Sequence, residues 1–271
     1  MSNDDLREMS FPLDERNLAH VLSGVALMGL AARMADAGGL EFTCWWSDGG
    51  LVLRSALDKV NLFQAAGEFV RSLSWIPGMG SAEQGTFVAG GEVGANPFIL
   101  LADTGSKKRT SAFKTFSAQV TPQRLLKDQQ ALLVSPGEAD SWLWQMARGA
   151  GSWGFDCRVG SHAYDQGFSS NEDGSGDLDP VYPAIELLSI AAASFFAAVQ
   201  GWQVNETTVA YSIWAQPISL SLALYAVAGR LSGLPARRYR TASRGAAYGS
   251  GAWYKFFPEG TPENQDRRHR S

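Results

Sequence analysis

An α+β fold is predicted by three features of this 271-residue sequence. Apolar residues recur at helical spacing in some segments and alternate at strand spacing in others, without the regular strand-then-helix repeat of a parallel sheet. Glycine-bearing turns join neighbouring strand segments into hairpins. One segment, 182–200, is apolar or small on every side, with Glu186 the only charge between Ile185 and Val199. A helix that leaves no polar face for water has to be central and buried.

Taken in order, Leu18, Val21, Leu22, Val25, Met28 and Ala32 form the stripe of a core helix over 17–35, stopped by Gly38-Gly39. Segments 40–46 and 51–54 flank Ser47-Asp48-Gly49-Gly50, whose glycines suit a tight hairpin turn. A second helix is expected over 56–73, on Leu57, Val60, Ala66, Phe69, Val70 and Leu73. The glycine-rich stretch 78–94 breaks the pattern and is either a loop or a short hairpin, and 98–102 is a buried-type strand. Thr121-Pro122 opens a helix to Leu133. Ser135-Pro136-Gly137-Glu138 spells a capping box, in which Ser135 and Glu138 satisfy the first backbone N–H groups, and this predicts a further helix to Arg148.

A polar-aromatic strand is expected over 152–159, followed by a long Ser/Asp/Gly loop. Tyr182-Pro183 then opens the central helix, because proline is tolerated in a first turn where its missing N–H has no partner to lose. Beyond it lie a strand over 207–215, with Val209, Tyr211 and Ile213 on one side, and a helix over 220–230. Two strands, 236–243 and 252–257, are read as a hairpin joined by the loop 244–251, and the residues beyond 260 as a disordered basic tail.

Composition bounds the class of protein. At 45% hydrophobic the chain can bury a substantial core, as one large domain or two small ones, and nine Trp supply large packing or stacking surfaces. Cys44 and Cys157 are far apart and form no CxxC, so a reducing, cytoplasmic setting is expected. The start, MSNDDLREMS, is acidic and polar, unlike a signal peptide. The apolar run of the central helix, about fifteen residues, is shorter than the roughly twenty a bilayer span needs, and no Lys or Arg occurs from 159 to 229 to flank it. No membrane association is expected.

The net charge of −4 conceals a division. Residues 236–271 hold eight Lys or Arg against three acids, a local +5, which leaves −9 on the rest. A second stripe, 105–127, holds Lys107, Lys108, Arg109, Lys114, Arg124 and Lys127 with no acid among them. Such asymmetry points to a polyanionic partner, the ordinary alternative being solvated surface. Strand alternation places Arg237 and Tyr239 on one face and Arg238 and Arg240 on the other. The loop that follows gathers Arg244, Gly245, Tyr248, Gly249, Gly251, Trp253, Tyr254 and Lys255. Glycines let a backbone approach closely, rings stack on bases for roughly 1–3 kcal/mol each, and cations meet phosphates. In the stripe, Phe113 and Phe116 give the lysines the same company.

Other motifs carry less. Asp103-Thr104-Gly105 follows an apolar run as in an aspartic protease half-site, but there is one copy and basic residues crowd it. Gly149 to Gly154 satisfies GxGxxG by spelling, in the wrong order of strand and helix for a phosphate loop. The acidic loop from Asn171 has calcium-loop spacing up to Asp179, but Tyr182 stands where the bidentate Glu belongs. His20, His162 and His269 show no metal spacing, so neither a metal nor another cofactor is expected. If the protein is an enzyme, His162, Tyr164 and His20 are the candidates for metal-independent proton transfer at an RNA 2′-hydroxyl. A hydrogen-bonded structural histidine is the simpler reading of each.

Several segments in order, KTFSAQ at 114–119, SHAYDQGFS at 161–169 and YPAIELL at 182–188, resemble a family of CRISPR-associated proteins of subtype I-U, also called I-G. The beginning, from Phe11 into the Trp45-Trp46 hairpin, and the later SIWAQP and RRYR are similar to that family too, so the likeness spans most of the chain. It implies a non-catalytic subunit of a type I RNA-guided interference complex in antiviral defence, related to the repeat-associated (RAMP) superfamily. The implied fold has ferredoxin-like, RNA-recognition-type antiparallel sheet elements with helical insertions, as one region or as two halves, 1–148 and 149–260. Guide RNA or target DNA and the other subunits of the complex would be the partners, with Gly245, Gly249 and Gly251 in the place of the superfamily's glycine-rich loop. Where the family carries an aromatic pair after Asp103, this chain has Thr104-Gly105, so no stacking role is assigned there. A guide-RNA-processing ribonuclease and a purely protein-bridging subunit are the alternative functions.

Overall fold

A computed structural model of the chain describes residues 6–38, 42–77, 85–89, 98–100, 122–136, 140–147, 153, 157, 181–197, 203–205, 208–242, 244–247, 253–256 and 260–263. The fold is α+β, built from five helices and small antiparallel sheets among these residues.

The first sheet begins with a strand the sequence reading missed, β1 (Arg7–Phe11). Helix α1 (Leu18–Gly38) follows, then β2 (Phe42–Ser47) and β3 (Gly50–Ser55), turning at Asp48-Gly49 as expected. Sheet order is β1-β3-β2, with β3 antiparallel to both neighbours, so β1 and β2 run parallel on either side of it. A helix as long as α1 is what lets the chain cross from one parallel strand to the other. Register places Phe11, Leu51 and Trp46 in one cross-strand row and Met9, Leu53 and Cys44 in another, and all six are buried. Gly50 makes the closeness of β1 possible: its φ is +115°, and a Cβ there would lie 2.1 Å from the Phe11 carbonyl oxygen.

Helix α2 (Lys59–Ser72) starts where the Asp58 carboxylate accepts from Val60 N–H, and buries Leu62, Phe63, Ala66, Phe69 and Val70. It runs directly into β4 (Leu73–Pro77), which pairs with β5 (Gly85–Ala89) and then β6 (Phe98–Leu100) in the order β4-β5-β6. Within 78–94, read as either a loop or a short hairpin, Gly85–Ala89 forms a strand whose two partners lie outside that stretch, and residues 78–84 and 90–94 lie outside the described residues. Helix α3 (Pro122–Leu132) appears as predicted.

The helix expected from the capping box at Ser135 does not form. Only a 3₁₀ turn, Asp140–Trp142, is present among the described residues there. Pro136 instead packs over α2, its Cγ 2.5 Å from where a Cβ on Gly67 would sit. Adjacent Trp142 and Leu143 are both buried, and Trp144 packs edge-on to His20, so successive residues serve different contacts rather than one helical stripe. Ala147 then pairs with Val181 through two 2.9 Å backbone bonds. Trp153 and Cys157, the described residues of the predicted strand 152–159, lie in no strand.

Helix α4 (Pro183–Ala197) is the expected central helix, and its described side chains from Ala184 to Ala192 are all buried. It packs on α1, and the contact has a polar seam. Ser189 Oγ lies 2.8 Å from the Ala19 carbonyl and 2.7 Å from that of Ile185, while Ser23 Oγ donates to Ile185 O at 2.9 Å. The single charge of α4, Glu186, accepts from Gln129 Nε2 of α3 and from Trp153 N–H, each at 2.8 Å. By length and composition α1 is the helix among the described residues that would cross a membrane, but 78% of its apolar window is buried inside the protein.

The remaining elements are β7 (Gln203–Asn205), β8 (Thr208–Trp214), α5 (Leu220–Val227), β9 (Ala236–Ala242), β10 (Arg244–Ala247), β11 (Trp253–Phe256) and β12 (Thr261–Pro262). They form a four-stranded sheet, β12-β9-β8-β7, and a separate ribbon, β10-β11. The predicted hairpin of 236–243 with 252–257 is thus corrected. Both edges of β9 are taken, by β8 and β12, so β11 pairs with β10, within the segment expected to be a loop. The expected tail, too, opens with a paired strand: Thr261 lies opposite Arg240 and Pro262 opposite Tyr239.

Candidate nucleic-acid interface

The period of two in β9 does what the sequence suggests, and the sheet register shows what each face meets. Arg237 and Tyr239 lie opposite Ile213 and Tyr211 of β8, while Arg238 and Arg240 lie opposite Ser212 and Ala210. On the first face, Tyr239 stacks on Tyr211 with centroids 5.7 Å apart. The Tyr239 hydroxyl donates to Glu15 Oε1 at 2.7 Å, and Arg237 Nη2 reaches Glu15 Oε2 at 2.5 Å. Burial, then the hydrogen bond to Glu15, pushes the Tyr239 pKa up to about 12. The next residue, Arg16, accepts from the Tyr211 hydroxyl and from Gly260 N–H at its carbonyl, each at 2.5 Å. Segment 13–17 is thereby tied to the C-terminal sheet.

On the second face two arginines converge on one acid. Arg238 Nε lies 3.0 Å from Glu263 Oε2, and Arg240 Nε and Nη2 each lie 2.5 Å from Glu263 Oε1. Both arginine side chains are about half exposed, at 49% and 48%. Ion pairs so open to water are each worth about 0–1 kcal/mol. One carboxylate against two guanidiniums leaves this cluster with one positive charge in excess.

Three of the predicted contacts, Arg237, Arg238 and Arg240, are therefore exposed but each carries an acidic partner, which sequence reading missed because Glu15 and Glu263 come from outside the strand. Arg244 and Gly245 lie on β10 and Trp253 and Lys255 on β11, with Gly245 opposite Lys255 and Ala247 opposite Trp253. Gly245 is thus a strand residue rather than part of a loop. Tyr248, Gly249 and Gly251 lie outside the described residues, as do Lys107, Lys108, Arg109, Lys114 and Phe116. The end of the stripe is described: Arg124 and Lys127 are exposed on α3, with Arg124 3.6 Å from Asp128.

His20, one of the candidate proton-transfer residues, is in the interior with no exposed surface. Its Nδ1 accepts from Asp14 N–H at 3.0 Å, and Nε2 lies 2.8 Å from the Cys157 carbonyl, so the neutral tautomer with the proton on Nε2 satisfies both. The ring also meets Trp144 edge-on, with centroids 4.8 Å apart. A ring held this way joins three segments of the core and cannot meet an RNA strand. His162 and Tyr164 lie outside the described residues. No protein-family model, curated protein or solved structure matches the chain.

Proposed function

We propose that the protein is a non-catalytic nucleic-acid-binding subunit of a type I CRISPR interference complex, and that β9 supplies part of its grip. The observation that carries this reading is the pair Arg238 and Arg240, half exposed, side by side on one strand face and in excess of the acid between them. Arginine presents a planar fork suited to phosphate oxygens. The ordered motifs from Lys114 to Arg240 that resemble the subtype I-U family point to the particular complex. A ferredoxin-like first half is supported by the element order β1-α1-β2-β3-α2-β4 and by the insertion of β3 between β1 and β2. In that arrangement β4 would flank β1, whereas here it pairs with β5. In the second half β8 and β9 are joined through α5 yet pair directly and antiparallel, unlike a ferredoxin-like strand-helix-strand unit, so the support comes from the first half alone.

Guide pairing would read sequence while this subunit holds backbone charge, so binding should be strongly salt-dependent and little affected by sequence. Binding of the purified protein to guide RNA at low salt tests it. Replacing Arg238 and Arg240 by Gln should weaken binding uniformly across sequences and reduce the salt slope. The reading fails if the protein neither binds guide RNA nor joins the complex formed by the products of its neighbouring genes. A second reading, a protein-bridging subunit, is favoured by Leu222 and Tyr225, exposed three residues apart on α5. It takes over if charge reversal at Arg237, Arg238 and Arg240 leaves both assembly and RNA binding intact.

A further inference from the structure

We propose that residues 260–263 are a displaceable strap, and that Glu263 occupies the seat of a nucleic-acid phosphodiester in the free protein. This rests on the nucleic-acid-binding reading and assigns a specific phosphate site within it. The seat is defined by how the two arginines approach. Arg238 addresses one carboxylate oxygen of Glu263 and Arg240 the other. A phosphodiester offers the same pattern, two unbridged oxygens sharing one negative charge, and guanidinium groups recognise both anions by the same paired geometry. The two arginines stand two residues apart on one strand, roughly 7 Å along the backbone, and close on a single anion from either side.

The strap is held by few bonds. Strand β12 is only two residues long, pairing Thr261 with Arg240 and Pro262 with Tyr239 on an edge of the sheet. Glu263 N–H donates to the Arg238 carbonyl at 2.8 Å and the Thr261 hydroxyl to the Arg240 carbonyl at 3.2 Å. Thr261 and Pro262 are exposed, so no core is broken when they lift. Upstream, Gly260 N–H remains tied to Arg16 O, a natural pivot. Arg237 is outside this exchange, because its carboxylate, Glu15, belongs to the segment before α1. Lifting the strap would free one edge of β9 and both arginines of the second face together. In this state the protein inhibits its own site, and a nucleic-acid backbone has to displace Glu263 to bind.

The substitution Glu263→Gln keeps the side-chain shape and the backbone bond while removing the competing charge. Binding of labelled, mixed-sequence single-stranded RNA at low salt should tighten roughly three- to tenfold over the wild type. The gain should vanish when Arg238 and Arg240 are also changed to Gln, and should not be reproduced by Glu68→Gln, which removes an exposed charge on α2. A Glu263→Gln variant no tighter than wild type, or a gain that survives loss of the two arginines or is matched by Glu68→Gln, overturns the strap while leaving the nucleic-acid reading standing. If the variant gains affinity for polyglutamate but not for RNA, the seat belongs to an acidic protein and the proposal is wrong. Absence of RNA binding by both wild type and variant ends the nucleic-acid reading and the strap with it.

Discussion

Tyr239 is committed to the interior at both its ring and its hydroxyl. Its ring lies against Tyr211 and its hydroxyl is given to Glu15, so this side of β9 offers no free aromatic face. With its pKa raised to about 12, the neutral hydroxyl is favoured in the folded state. The stability this confers is present below the unfolded value of about 10 and is lost as pH climbs from there towards 12. Tyr239→Phe should cost about 1 kcal/mol near neutral pH. In denaturant titrations, the difference between wild type and variant should shrink over that alkaline window. A difference that does not change with pH would mean that the bond to Glu15 is not made. At this scale the sequence revealed the alternation of Arg237 and Tyr239 with Arg238 and Arg240, because a strand's period of two is local. It did not reveal Glu15 and Glu263, since which acid meets which arginine is set by segments far away along the chain or across an edge. Nor did spacing show that His20 would be an interior ring satisfied at both nitrogens.

Among the elements, the hairpin of β2 and β3 is the most legible from residues, and Gly50 is the reason it tolerates β1 alongside. Gly50→Ala places a methyl group on the Phe11 carbonyl and forces a φ that alanine avoids. It should destabilise the protein by about 2 kcal/mol or more, read as a lower denaturation midpoint. A loss under half of that would show that β1 can withdraw at little cost. Helices with a sustained apolar stripe, α1, α2 and α4, were found within a few residues of their true limits. The capping box at Ser135 misled because a cap starts a helix only if apolar positions then recur at its period. Trp142, Leu143 and Trp144 instead make three contacts in a row, and Pro136 is committed to Gly67. Strands β1, β7 and β12 were missed because they are short and take their place from partners rather than from their own pattern.

Over the whole molecule, the interior is continuous from the first sheet through α1 and α4 to β8 and β9, and both thiols lie inside it. Burial pushes the Cys44 thiol up to about 12, and Cys157 lies beneath the same surface. Neither cysteine should react with a thiol reagent near pH 8 until denaturant unfolds the chain, whereupon both should react. Prompt labelling of either one in the native protein would show that this interior opens locally. The union of α1 with α4 joins residues separated by more than half the sequence, Ser23 with Ser189 among them. Helix α1 leaves the ribosome first, and residues 39–182 must be translated before α4 begins. That interval lasts on the order of ten seconds at ordinary elongation rates. Throughout it a twenty-one-residue apolar helix has the first sheet and α2 to pack on, but the stripe that will meet α4 lacks its native cover. The growing polypeptide therefore carries an open apolar helix face until its mate is made.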